Sequence, residues 1–170
     1  MNNPFIHLRS LSSYSLSEST LKITNLVDLA KKHDMPAIAI TDNNNMFGVF
    51  EFSKECVKNN IQPIIGTSIN LLEIIVNNQI SQVTLLVKNE IGYRNLLELS
   101  SLSHLNEGNN VGIYFSQLEK FSEGLFCYIG GEFNPLLLLN QENKKKDIIQ
   151  LIGNFKKVFK QNFLFEIQRI

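Results

Sequence analysis

Residues 35–48 read MPAIAITDNNNMFG, and this stretch decides the fold. Pro36 cannot continue a helix arriving from upstream, because it lacks an amide proton and its ring crowds the preceding turn. Ala37 to Thr41 follows as a short continuous apolar run, the pattern of a strand buried on both faces. The run stops at Asp42-Asn43-Asn44-Asn45, residues whose short polar side chains bond nearby backbone and favour turns. A buried strand that opens into a polar loop and then a helix is the repeating unit of an α/β fold.

The flanking sequence repeats that unit. Phe5 to Arg9 reads as a short strand entering the Ser-rich loop Ser10 to Ser19. Ile23 to His33 has Leu26, Leu29 and Ala30 at helical spacing, with Thr24 as the expected N-cap. Lys31, Lys32 and His33 place positive charge on its last turn, where the helix dipole favours it. Met46 to Asn59 is expected to be helical, and Ile61 to Leu72 a second buried strand. Ile74 to Val76 and Val83 to Val87 read as further strands joined through the Asn77-Asn78 turn signal. Asn89 caps a long helix to about Leu105, followed by a loop at Glu107 to Asn110. Ser116-Gln117-Leu118-Glu119 has the form of a capping box opening a short helix. Gly124 to Ile129 is the next strand, Gly130-Gly131 a turn, Asn143 to Lys160 a helix, and Phe163 to Ile167 a last strand. Strands alternating with helices predict a mainly parallel sheet in one domain spanning residues 1–170.

Composition narrows the function. The chain has 170 residues, 44% of them hydrophobic, which is enough for a real core. Sixteen basic and sixteen acidic residues cancel. A free-standing nucleic-acid binder carries a basic excess, so DNA contact is expected only through a longer protein. Cys56 and Cys127 lack CxxC spacing and read as reduced structural thiols. No signal-peptide core and no apolar run of membrane-spanning length is present, so the expectation is a cytoplasmic protein with no membrane partner.

In barrel-like α/β folds chemistry collects at the carboxyl ends of the strands. The expected ends are Arg9 to Ser12, Asp42 to Asn44, Thr67 to Ser68, and Arg169 to Ile170. A hydrolytic metal centre there needs converging imidazoles and carboxylates. These positions offer Asp42, with Glu18 nearby in the first loop. Leu11 and Ile170 have no donor atom, Arg9 is a permanent cation, and Asn43 and Ser68 are weak neutral donors. No metal cluster and no catalytic set are expected. His7, His33 and His104 are too dispersed for a triad and read as packing or capping residues. No glycine falls in a phosphate-binding pattern, and Gly48 and Gly66 read as backbone positions. The Lys144 to Lys146 run reads as a solvated helix face.

Three stretches, PFIHLRSLSSYS (4–15), MPAIAITDNNNMFG (35–48) and IQPIIGTSIN (61–70), together resemble the polymerase-and-histidinol-phosphatase (PHP) domain. The likeness is to the N-terminal form found in the bacterial replicative DNA polymerase III alpha subunit. GYRNLLELSS (92–101), FSEGLFCYIGG (121–131) and LFEIQRI (164–170) extend it along essentially the whole chain. Metal-bearing members look like HLHxHxxYS, TDHGN and GCE at the first three motifs. On that pattern Arg9 and Leu11 replace the HxH pair, Asn43 the His of TDH, Ser68 the Glu of GCE, and Ile170 a late His. Glu18 and Asp42 are retained.

The resemblance implies the N-terminal part of a distorted (β/α)7 barrel, truncated, with a degenerate metal site and no catalysis of its own. It implies a cofactor-free segment of a DNA-directed DNA polymerase whose Mg²⁺ ions sit in a palm domain outside this sequence. The implied partners are the other polymerase domains and a proofreading exonuclease. Two alternatives stay open at this point: a metal-dependent phosphoesterase of the histidinol-phosphatase kind, and a stand-alone interaction module. A charge pair between Arg9 and Asp42, filling the space of a metal, also stays open.

Overall fold

A computed structural model describes residues 5–106 and 110–167, and the chain divides after Thr67 into two compact units. Arg169 and Ile170 lie outside the described residues, as do three of the four residues expected to form the loop at Glu107 to Asn110. The architecture is mixed α/β.

The first unit is built around the opening stretch. Helix α1 (Ile23–Lys32), strand β1 (Ala37–Ile40) and helix α2 (Val49–Lys58) lead into β2 (Gln62–Val76). β1 and the start of β2 pair in parallel, from Ala37 opposite Gln62 to Ile40 opposite Ile65. All four β1 residues are buried, as its unbroken apolar run requires. Ile23, Leu26, Val27 and Ala30 of α1 meet Ile38, Ile40, Val49, Phe52 and Cys56 in one core. Leu29, expected on that apolar face, is instead exposed.

Several boundaries differ from expectation for local reasons. The α1 N-cap is Lys22, with no side-chain cap bond, so Thr24 lies inside the helix. α2 starts at Val49, because Asn45 Oδ1 accepts the Phe47 N–H and holds Met46–Phe47 in a turn. Phe5 to Arg9 is not a strand. The chain bends at Leu8, one main-chain bond ties the segment to β1, Ala39 N–H to His7 O (2.9 Å), and a second joins the residues just beyond, Thr41 N–H to Ser10 O (2.8 Å).

The second unit starts within β2 and continues through β3 (Gln79–Val87), α3 (Glu90–Leu105), α4 (Phe115–Lys120) and β4 (Leu125–Ile129). It ends with α5 (Pro135–Gln141), α6 (Lys145–Phe159), a 3₁₀ turn at Lys160–Asn162 and β5 (Phe163–Phe165). Its strands are hydrogen-bonded in the order β2-β3-β4-β5. Asn77 and Asn78, both at positive φ (50° and 64°), make the two-residue turn that reverses the chain between β2 and β3. That reversal leaves β3 antiparallel to β4, while β4 and β5 are parallel. The sheet is therefore less parallel than the strand–helix alternation suggests. Ile61–Leu72 and Ile74–Val76, read separately, form one strand of fifteen residues. Phe155 fills the core, stacked on Phe163 at 5.3 Å with Phe115 edge-on at 5.2 Å.

Capping fixes the helices of this unit. Asn89 Oδ1 accepts the Gly92 N–H at 3.0 Å, as expected. α4 begins one residue before the expected capping box, and Gln117 Oε1 reaches back to the Tyr114 N–H (2.9 Å). α5 was not expected from the sequence. It is signalled by Asn134-Pro135, with Asn134 Oδ1 accepting the Leu137 N–H and proline at the first turn.

Two glycines of opposite character give a direct test. A Cβ on Gly92 falls 1.8 Å from the Gly124 carbonyl oxygen, a backbone atom that cannot rotate away. Gly153, in the middle of α6, faces open space. Gly92→Ala should lower stability by more than about 2 kcal/mol. Gly153→Ala should raise it by about 0.5–1 kcal/mol through helix propensity. Urea denaturation followed by circular dichroism reads both signs.

Candidate functional site

β1 ends at Ile40, and the next residues leave the strand with their side chains still inside the first unit. Asp42 is 2% exposed, an expensive position for a carboxylate unless every oxygen is satisfied. The satisfaction comes from the Ser-rich loop. Oδ1 accepts the Ser12 N–H at 2.7 Å and the Ser15 hydroxyl at 2.6 Å, and Oδ2 accepts the Ser12 hydroxyl at 2.6 Å. Both serines are themselves buried. Their oxygens also accept: Ser12 Oγ takes the Tyr14 N–H (3.2 Å) and Ser15 Oγ the Asn43 N–H (3.1 Å).

The network closes from two further sides. Thr67 Oγ1 donates to the Asp42 carbonyl at 2.7 Å. Buried Asn45 donates through Nδ2 to the carbonyls of Tyr14 (3.2 Å) and Asn43 (2.9 Å). Thr41 stitches the same two loops, taking the Ser10 N–H on Oγ1 (3.0 Å) and giving its own N–H to Ser10 O (2.8 Å). Two loops some thirty residues apart are thus held by side chain–backbone bonds around one anion.

Asn43 and Glu18 are brought together, the Asn43 Nδ2 donating to Glu18 Oε2. Leu11 lines an apolar groove of about 370 Å³ with Leu21, Leu26, Leu29 and Ile38. His7 and His33 line the same groove and are otherwise exposed, while His104 is exposed on α3 in the other unit. Arg9 is half-buried, and the partners of the Asp42 carboxylate are Ser12 and Ser15 rather than its guanidinium. Ser68 does not sit at a strand end. It lies within continuous β2, in the second unit, where its hydroxyl is 3.0 Å from that of Thr84 on β3. Ile69 follows directly and Asn70 stays within β2, so nothing ends the strand there. Ile170 lies outside the described residues.

These residues do not fit a metal ion. The Asp42 oxygens already take three protein donors, and Glu18 is held by an amide. Arg9, Leu11 and Asn43 supply no anionic or imidazole donor beside them. Among the described residues no three His, Cys, Asp or Glu side chains converge. The two cysteines offer no nucleophile either. Burial, with the charge of Glu55 adding, pushes the Cys56 thiol up to about 11, and burial alone raises that of fully enclosed Cys127 further.

Sequence reasoning overlooked Ser15 and Asn45, and placed Ser12 at a strand end without giving it a role. Their signal was present as two serines three residues apart, upstream of a strand ending in Asp. A loop rich in hydroxyls reads as solvated until something buried requires its donors.

The family model described as "PHP domain" matches residues 7–170. A protein of Rickettsia prowazekii named DNA polymerase III subunit alpha is 40% identical, over 99% of this chain and 14% of its own length. Proteins of the same name from Borreliella burgdorferi (39%; 97% of this chain, 15% of theirs) and Caulobacter vibrioides (33%; 97% and 15%) are similar along the same stretch. The chain therefore spans about one-seventh of the length of these relatives. No described helix is long and apolar enough to cross a membrane.

Asp42→Asn replaces an acceptor with a donor facing two hydroxyls and an amide. It should cost about 3 kcal/mol, against about 1–2 kcal/mol for Ser15→Ala, measured by thermal melting. The thiols give an independent check. Because both sit above the ordinary thiol range, the thiolate is scarce at pH 8, and an aromatic disulfide reagent should label neither cysteine until denaturant is added.

Proposed function

This chain belongs to the PHP domain family, and we propose that it serves a replicative DNA polymerase of the III alpha kind as a catalytically silent scaffold. The observation that carries this reading is the occupation of the Asp42 carboxylate by Ser12 and Ser15. A carboxylate poised for a metal keeps lone pairs directed into an open site, whereas this one spends them on its own loops. The substituted positions Arg9, Leu11, Asn43, Ser68 and Ile170 remove five ligand positions of the family pattern together, with Glu18 and Asp42 retained. Loss of that breadth is compatible with a scaffold and not with hydrolysis.

Within such a polymerase the segment packs against the domains that carry the chemistry, and the proofreading exonuclease is a further partner. Nucleotidyl transfer then belongs to Mg²⁺ ions and carboxylates beyond these residues. Membership of the family and the names of the relatives support this assignment; the residues described here supply no catalytic group for it.

The test uses the natural full-length product. Primer extension with Mg²⁺ is expected, together with no hydrolysis of p-nitrophenyl phosphate when Mn²⁺, Zn²⁺ or Fe²⁺ is added. Leu11→His with Asn43→His should restore no turnover, since the other positions are still lost. Metal-dependent hydrolysis by either protein overturns the silent assignment. A natural product that extends no primer removes the polymerase assignment.

A further inference from the structure

α6 presents a basic face that the scaffold role does not use. Lys145 and Lys146 sit on its first turn and Lys156 and Lys157 on its last. All four are exposed, and no carboxylate pairs with any of them among the described residues. The nearby acidic groups are Glu142, which is occupied by Lys144 at 2.5 Å, Asp147, which shares the exposed stripe of Asn154, and Glu123, which lines a pocket with Val158, Phe159 and Lys160. Eleven residues are close to three full turns, so Lys145 aligns with Lys156, and Lys146 with Lys157. The buried side of the helix carries Phe155 and Phe159, which places Lys146 and Lys157 outward and Lys145 and Lys156 about 100° round on the exposed flank. The two pairs stand about 16 Å apart along the axis, at 1.5 Å per residue. Between them lie Ile149, Gln150, Gly153 and Asn154, all exposed, and the Gly153 position opens on empty space.

Two features set this face apart from an ordinary solvated surface. The chain is neutral as a whole, so four unpaired cations on one helix concentrate positive charge that the rest of the molecule balances elsewhere. Lys145 and Lys146 also oppose the helix dipole, which disfavours cations at the N-terminal end. Local stability therefore gives no reason for them.

We propose that the outward face of α6 is a contact surface for the phosphate backbone of duplex DNA. Complementarity of charge argues for a polyanion, and the residue types argue for nucleic acid over an acidic protein. Protein interfaces are depleted in lysine and anchored by aromatic residues or arginine, and this face has neither anchor. Lysine is a compact point charge suited to a phosphate, and the short side chains at Gly153 and Asn154 let a backbone come close. Phosphates recur every 3.4 Å along each strand, so pairs about 16 Å apart meet different phosphates and act additively. The contact is sequence-independent and supplements the grip of a larger protein, in keeping with the neutral charge of this chain.

The test is the binding of a fluorescent 20-base-pair duplex by the natural full-length product between 50 and 200 mM salt. Lys145, Lys146, Lys156 and Lys157 are changed together to Gln, and a control carries Lys22→Gln with Lys32→Gln in the first unit. Loss of at least two phosphate contacts should lower the slope of log K against log salt by about two, with about tenfold weaker binding at the low-salt end. The control should bind as the unchanged protein does, and circular dichroism should show both variants equally folded. An unchanged slope in the quadruple variant, an equal loss in the control, or no measurable binding by the unchanged protein overturns the proposal. Primer extension is read separately, so a failed DNA contact is distinguished from a protein that is no polymerase.

Discussion

The first unit depends on one buried anion. Asp42 is placed by β1 at a point where water cannot reach it, and its cost is met by donors from a loop thirty residues upstream. Hydrogen bonds to a charged acceptor are about twice as strong as neutral ones, and leaving such a group unmet is more costly still. The loop at Ser12 to Ser15 is therefore ordered by the carboxylate, and the carboxylate is tolerated because of the loop. Asn43, Asn45 and Thr67 extend the arrangement by bonding the backbone around it.

That arrangement explains how the loops around Asp42 hold together through their own donors. In a metalloprotein the cation draws the loops together, and its removal leaves converging anions that repel. Here the convergence runs through hydroxyls and amides, which are neutral and can donate and accept at once. Leu11 and Asn43 add to it. Leu11 adds apolar surface to the groove beside α1, and Asn43 gives Glu18 a neutral partner. The resulting polar cluster is internally satisfied, and no buried side-chain nitrogen or oxygen among the described residues lacks a partner.

Legibility in the sequence varied with the range of the interaction. Asn89 announced α3 because a cap acts on an amide three residues away. Asn77-Asn78 announced the β2–β3 turn because positive φ is a local preference of asparagine. Thr24 misled, since Lys22 is the N-cap and α1 already begins at Ile23, one residue before it. α5 was hidden because PLLLLNQ has no amphipathic spacing and is shorter than two and a half turns. β2 looked like two strands because Asn70, Glu73 and the apolar residues around them do not alternate cleanly.

The α/β class, the family frame, the absence of imidazole at Arg9, Leu11 and Asn43, and the lysines of α6 can all be read along the chain. Each of these is a property of residue identity or of neighbours within a few positions. That Ser12 and Ser15, and not Arg9, satisfy Asp42, and that Ser68 lies mid-strand beside Thr84, emerges once the chain has folded. The physical reason is that a buried charge selects partners by distance and direction. Those are fixed only when β1 and the serine loop have packed together, and no spacing along the chain encodes them.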